Sequence, residues 1–181
     1  MYADTKWGAL GFTIVDPTLE DGAARKLKLN KHPSTSELVT LLKRSPPEDE
    51  ATARQWFQAL SGRVSCIILY LFLFESVLNF SRYLVDFSSA ELRELLNTPF
   101  VPVKSTGDKG IIKRLSPNQC FLGPVISVFY SKLFAFVNFG ARANAFLRAC
   151  GARREPSVED FAQVLLAEPR RIYKLANGRE K

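Results

Sequence analysis

The chain has 181 residues, 46% of them apolar, and its 25 lysines and arginines outnumber 18 aspartates and glutamates for a formal charge of +7. That length and apolar content allow a packed core of one domain, or one and a half, and exclude a wholly disordered chain. The positive balance suits an anionic partner, yet acids and bases interleave nearly everywhere, as on a solvated basic surface.

Lys6 to Val15 sets Trp7, Leu10, Phe12, Ile14 and Val15 around two glycines, which predicts a short strand or extended packing segment rather than a helix, ended by Asp16-Pro17. Ser34 and Glu37 have capping-box spacing: the serine oxygen accepts an orphan helix amide and the glutamate reaches back, ahead of a helix from Thr35 to Lys43. Ser45-Pro46-Pro47 breaks the chain. Glu48-Asp49-Glu50 then favours the positive end of a second helix, with Ala53, Trp56, Phe57 and Leu60 on one face and Gly62 as its cap. Ser88 and Glu91 repeat the box before a helix from Ser89 to Leu96, whose buried stripe is Leu92, Leu95 and Leu96. Phe100 to Val103 and Ile111 to Leu115, around the polar turn Ser105 to Gly110, predict a small hairpin.

Further on, Pro124 to Val137 is aromatic-rich and expected to be buried, and Asn138-Phe139-Gly140 introduces a helix from Ala141 to about Cys150, closed by Gly151. Ser157 and Asp160 cap a helix carrying Val158, Phe161, Val164 and Leu165. Pro169 starts a last one bearing Ile172, Leu175 and Ala176, ended by Asn177-Gly178. Successive short helices with one hairpin predict an α+β fold, mainly α, forming an incomplete domain. The organisation expected is an extended segment with two helices over 1–65, an apolar insertion over 66–85, and a helix, the hairpin and C-terminal helices over 86–181.

The chemistry-bearing residues are sparse. His32 is the only histidine, which removes most nucleophile–histidine triads and histidine-rich metal sites, and beside Pro33 it reads as a solvent-exposed turn residue. No GxSxG elbow or SxxK pair is present, and Ser105 to Gly110 lacks the GxxxxGK[ST] spacing of a phosphate cradle. Cys66, Cys120 and Cys150 lie far apart without CxxC spacing, so neither a disulfide framework nor a zinc site is expected and a reducing compartment follows. The carboxylates of Glu48-Asp49-Glu50 and Glu159-Asp160 fall in first helical turns, where the macrodipole accounts for them. No catalytic residue, cofactor or metal ligand is assigned, and a non-catalytic chain is expected. Arg153, Arg154, Arg170, Arg171 and Lys174 would make one phosphate-holding face if the last helices pack antiparallel, the basis of a nucleic-acid-binding alternative. Against it, Glu155, Glu159 and Glu168 interleave with them, as on a charge-paired surface.

The N-terminus lacks the order of a secretory signal and the bias of a transit peptide, so cytosol or nucleus is the default. Val64 to Val85 is the oddest stretch: Cys66 to Phe74 is continuously apolar, then Glu75, Asn79 and Arg82 interrupt. Three readings compete. A membrane span needs about 20 mostly apolar residues and would place Glu75 near mid-bilayer. A buried core element is the second, and a segment foreign to the fold the third.

Phe134-Ala135-Phe136-Val137-Asn138-Phe139-Gly140, Asn144 to Gly151 and Glu155 to Asp160 carry a family likeness, joined by Trp7 to Asp16 and Phe100 to Val103. In these motifs the chain resembles large fungal proteins with a sacsin-like, GHKL-type ATPase region of the Hsp90 and histidine-kinase kind. The resemblance implies a segment downstream of the ATPase module, in a chaperone-like or scaffolding protein whose partners are neighbouring domains or client proteins. The acidic-Asn helix and DxGxG lid loop of that module are absent, so no ATP-binding residue carries over. It also implies a fragment or truncated gene product, since such proteins continue past Lys181. In them Ser61 to Ser65 would run almost directly into Asp86 to Leu92, which makes Cys66 to Val85 an insertion of the kind a retained, pyrimidine-rich intron encodes.

Overall fold

The computed structural model describes residues 1–2, 4–15, 30, 32–64, 87–104, 112–125 and 127–176. Three helices begin where the sequence places a serine and an acid three residues on, two of them side by side. In α1 (Thr35–Arg44) the Ser34 amide donates to Glu37 Oε2 at 2.7 Å and the Glu37 amide donates back to Ser34 Oγ at 3.2 Å. Ser88 and Glu91 do the same ahead of the helix Ser89–Leu96, at 2.8 and 3.2 Å. The two boxes are also tied to each other and to the N-terminus. Thr35 Oγ1 donates to Glu91 Oε1 and the Tyr2 hydroxyl to Glu37 Oε1, each at 2.6 Å, while Lys43 and Glu94 pair at the far end. Hydrogen bonds from Tyr2 and Ser34 hold the Glu37 carboxyl below the usual range, and burial together with Glu37 pushes the Tyr2 phenol up to about 12.

Between these helices in the chain lies α2 (Glu50–Ser61), capped by Asp49, whose carboxylate accepts from the Thr52 amide at 2.8 Å. It buries Ala53, Trp56, Phe57 and Leu60, the predicted face. Numbering Ser89–Leu96 as α3, the remaining helices are α4 (Val128–Leu133), α5 (Ala141–Ala149), α6 (Val158–Ala167) and α7 (Pro169–Ala176). The hairpin is present as β1 (Val101–Lys104) and β2 (Ile112–Leu115), antiparallel from Val101↔Leu115 to Lys104↔Ile112; its turn, Ser105 to Gly110, lies outside the described residues. The fold is α+β and mainly α.

Phe57 of α2 and Phe146 of α5 hold the centre. Their rings stack at 5.8 Å, Phe100 and Phe139 meet Phe57 edge-on at 5.7 and 5.2 Å, and Phe87 reaches Phe146 at 5.8 Å. One continuous apolar cluster runs from Tyr2 to Ala152, so the stretches before and after the apolar run share a single core.

Several elements differ from their expectation. Thr5–Leu10 is a 3-10 helix rather than a strand. Trp7 and Leu10, three apart, eclipse on such a turn and are both buried, Asp4 caps it, and Gly11 reverses the chain at φ 84. Only then does the chain extend, with the Tyr2 amide donating to Thr13 O and the Val15 amide to Tyr2 O, both at 3.0 Å. His32 is half-buried instead of exposed: its Nδ1 accepts from the indole of fully buried Trp7 at 3.2 Å. Within Pro124 to Val137 only Phe134 and Val137 are buried among the described residues, since Val125 and Val128 face water and α4 buries no side chain. Gly62 ends α2 as predicted, but in right-handed geometry. A second, parallel pair that the sequence did not announce, β3 (Cys120–Phe121) with β4 (Ala135–Phe136), has only two residues per strand and hence no alternation to read.

The apolar run over 66–85 lies outside the described residues. Among those described, no helix is long and apolar enough to cross a membrane. The residues flanking the run are informative: Val64 and Phe87 are both in the core, and the Phe87 amide donates to the Arg63 carbonyl at 3.1 Å. If Ser65 were joined to Asp86, Arg63 and Phe87 would stand four positions apart, the separation that one helical turn bridges by this very bond. A Ser65–Asp86 junction is therefore expected to leave a cooperative thermal transition in place; loss of the transition would assign the run to the core. Gly151 gives a sharper test of the C-terminal half. Its φ of 103 disfavours any side chain, and a Cβ there would come within 2.1 Å of Leu96 Cδ1. Gly151→Ala is expected to cost roughly 1–3 kcal/mol in denaturant unfolding.

Candidate functional site

The chain leaving the hairpin enters β3, which is flanked on both sides. The Val137 amide donates to Phe121 O at 2.9 Å on the β4 side, while the Leu122 and Gly123 amides donate to Arg153 O and Arg154 O, each at 2.8 Å, on the other. This small sheet, α4 and α6 enclose an open groove of about 930 Å³. Phe121, Phe134, Phe136, Leu115 and Val103 supply apolar lining, and five cations stand around it: Lys104, Lys113, Lys132, Arg153 and Arg171, against the carboxylates of Asp160 and Glu168.

Each wall has a local cause. Ser157 and Asp160 form the predicted capping box of α6, the Ser157 amide donating to Asp160 Oδ2 at 2.7 Å. The other Asp160 oxygen takes Arg153 Nη2 at 2.6 Å, and the Arg153 guanidinium lies 5.4 Å from the Phe121 ring centre. Partial burial works against the Asp160 charge, but the bonds from Arg153 and Ser157 prevail and hold its carboxyl below the usual range. At the other end of α6, Arg171 binds Glu168 at 2.8 Å and donates to the Lys132 carbonyl at 2.6 Å, which clips α7 to α4. Phe161 packs between these clasps, 6.3 to 6.5 Å from Phe129, Tyr130 and Phe134.

Of the five basic residues singled out from the sequence, the structure brings Arg153 and Arg171 to the groove. Arg154, 3.7 Å from Glu155, and the exposed Arg170 and Lys174 do not line it. Three of the five interleaved cations are thus engaged by neighbouring carboxylates, as a charge-paired surface requires. Sequence reasoning missed Lys104, Lys113 and Lys132. The register Val103↔Lys113 puts that lysine on the hairpin face that also carries Val103, a juxtaposition set by strand pairing and invisible in local spacing.

Other candidates resolve into structural roles. Asp49 caps α2, and Glu159 and Asp160 occupy the first turn of α6. Burial pushes the Cys120 thiol up to about 12 and raises Cys150 as well, so neither is a thiolate at neutral pH. Among the described residues no group of three or more His, Cys, Asp or Glu side chains is placed to hold a metal ion. Cys66 and the turn Ser105 to Gly110 lie outside them.

Fold and site define an α+β domain, mainly α, that carries an open groove with an apolar lining and a net positive surround. The chain belongs to the family described as Protein of unknown function (DUF3684), whose profile matches residues 1–69 and 74–181; the break falls inside the apolar run. Comparison with curated proteins and with solved structures found no match.

The Asp160 clasp carries a pH signature. Because its folded-state carboxyl is held below the ordinary 3.8, its contribution is complete above that value and fades as pH falls through the lowered one. Amide-exchange protection of α6 is expected to weaken on acidification below about pH 4, and Asp160→Asn to weaken it already at neutral pH with a flatter pH dependence. A variant as pH-steep as wild type would remove the clasp as the cause.

Proposed function

We propose that this chain is a non-catalytic interaction segment of a larger protein, and that its groove receives an extended, acidic segment of a neighbouring domain or client protein. The observation that carries the reading is the groove itself, about 930 Å³ with aromatic lining and five cations against two carboxylates. Arg153 and Arg171 are engaged by Asp160 and Glu168, and Lys104 stands 3.7 Å from Glu50, so the net positive charge of the lining, rather than any one unpaired cation, meets a bound carboxylate while phenylalanine or leucine side chains fill the floor. The thiols, raised by burial, and the carboxylates, lowered by caps, point to structural service rather than acid–base or nucleophilic chemistry. Within a sacsin-like, chaperone-like ATPase protein, as the sequence resemblance implies, such a segment would receive or pass on nucleotide-driven movement through this contact. Cytosol or nucleus, where the thiols stay reduced, is the compartment that fits.

The test uses a fluorescein-labelled peptide of alternating glutamate and phenylalanine, its lysine-for-glutamate counterpart, and a single-stranded oligonucleotide. Binding of the acidic peptide alone is expected, weakened roughly tenfold by Lys104→Glu with Lys113→Glu, two exposed charges whose pairs are worth about 1 kcal/mol or less each. Equal binding of both peptides, or no effect of the two substitutions, would remove the groove as the site. Tighter, steeply salt-dependent binding of the oligonucleotide would instead favour the nucleic-acid alternative.

A further inference from the structure

We infer that the outward face of α6 is a self-association surface, covered by the same helix of a second copy of this chain. The surface is separate from the groove and does not depend on the reading given for it. α6 has three sectors and buries no side chain fully. Phe161 meets the aromatic rings around α4, and Asp160, Gln163, Val164 and Ala167 line the groove. That leaves Val158, Ala162 and Leu166, spaced i, i+4, i+8 and so on one line of the helix, with Leu165 beside them. Val158 is 81% and Leu166 83% exposed, and Leu165 is 44% exposed. The inward stripe is satisfied by Phe161 and Val164 alone, so the remaining apolar residues form a second face.

The charges around that face select its partner. At the N-terminal end, Arg153 is taken by Asp160 and Arg154 by Glu155, which leaves the negative charge of Glu159. Beyond the C-terminal end, Arg171 is taken by Glu168, and Arg170 and Lys174 are exposed with no ion pair among the described residues. Two such helices packed antiparallel across Ala162 set Val158 of each against Leu166 of the other and bring each Glu159 toward the other copy's Arg170. The small alanine lets the backbones approach at the crossing, and the helix dipoles oppose. A parallel arrangement would place like charge on like. The antiparallel contact is isologous, so it closes at a dimer. One face of a ten-residue helix falls short of the roughly 800 Å² per partner of a standard interface, so the association is weak and concentration-dependent.

Sedimentation equilibrium of the whole chain, from about 10 μM to 1 mM, is expected to show a monomer–dimer equilibrium. Leu166→Glu, at an exposed position that leaves the core untouched, is expected to abolish it. Glu159→Arg should weaken it at low salt, and the double reversal Glu159→Arg with Arg170→Glu should restore it. A wild-type chain that is monomeric throughout, or self-association that Leu166→Glu leaves unchanged, would overturn the proposal. Loss with Leu166→Glu but no rescue by the double reversal would overturn the antiparallel register.

Discussion

The Phe57–Phe146 stack is the contact from which the other elements take their places. It locks α2 against α5 and meets three further rings, Phe100 and Phe139 edge-on and Phe87 tilted, each at the head of a different element: Phe87 just before α3, Phe100 just before β1, and Phe139 just before α5. Edge-to-face pairs of this kind add about 0.5–1.5 kcal/mol each beyond the area they bury. Because the rings are fully buried or nearly so, a shift of any one leaves a void that the others cannot fill without moving their own elements.

Polar contacts then orient what the rings collect. The capping carboxylates Glu37 and Glu91 each spend one oxygen on their own helix and the other on a distant residue, Tyr2 or Thr35, so a local cap becomes a tertiary tie. Asp160 repeats the device: one oxygen closes the α6 box, and the other fixes Arg153 over Phe121 at the wall of the groove. The C-terminal helices lack a ring cluster as deep as that around Phe57, and they rest on these clasps and on Phe161. That thinner attachment leaves α6 with both a groove wall and an outward apolar face.

How much of this was legible depends on whether the signal is local. Serine followed by an acid three residues on names the starts of α1 and α3, an acidic run names that of α2, and apolar residues at helical spacing name the buried face of α2 and, through Leu92 and Leu95 but not the half-buried Leu96, that of α3, since caps and stripes are properties of a single turn. On α6 the cap held, but the apolar spacing does not name the face that meets the core. Its pattern has apolar residues on two sides, and periodicity cannot say which side meets the core. Thr5–Leu10 misled for a related reason: apolar residues around Gly8 and Gly11 resemble a strand end, and only the burial of Trp7 and Leu10 against α2 selects the 3-10 turn.

What the sequence by itself determined is six of the helices and the hairpin, their caps, the α+β class and the sparsity of reactive groups, because each follows from bonds and spacings within a few residues. The tertiary structure alone decided the β3–β4 pair, the indole bond that places His32, the meeting of Lys113 with Arg153 and Arg171 around one groove, and which face of α6 turns to water. Those depend on which distant backbones come within hydrogen-bonding distance, and no local window of residues encodes that.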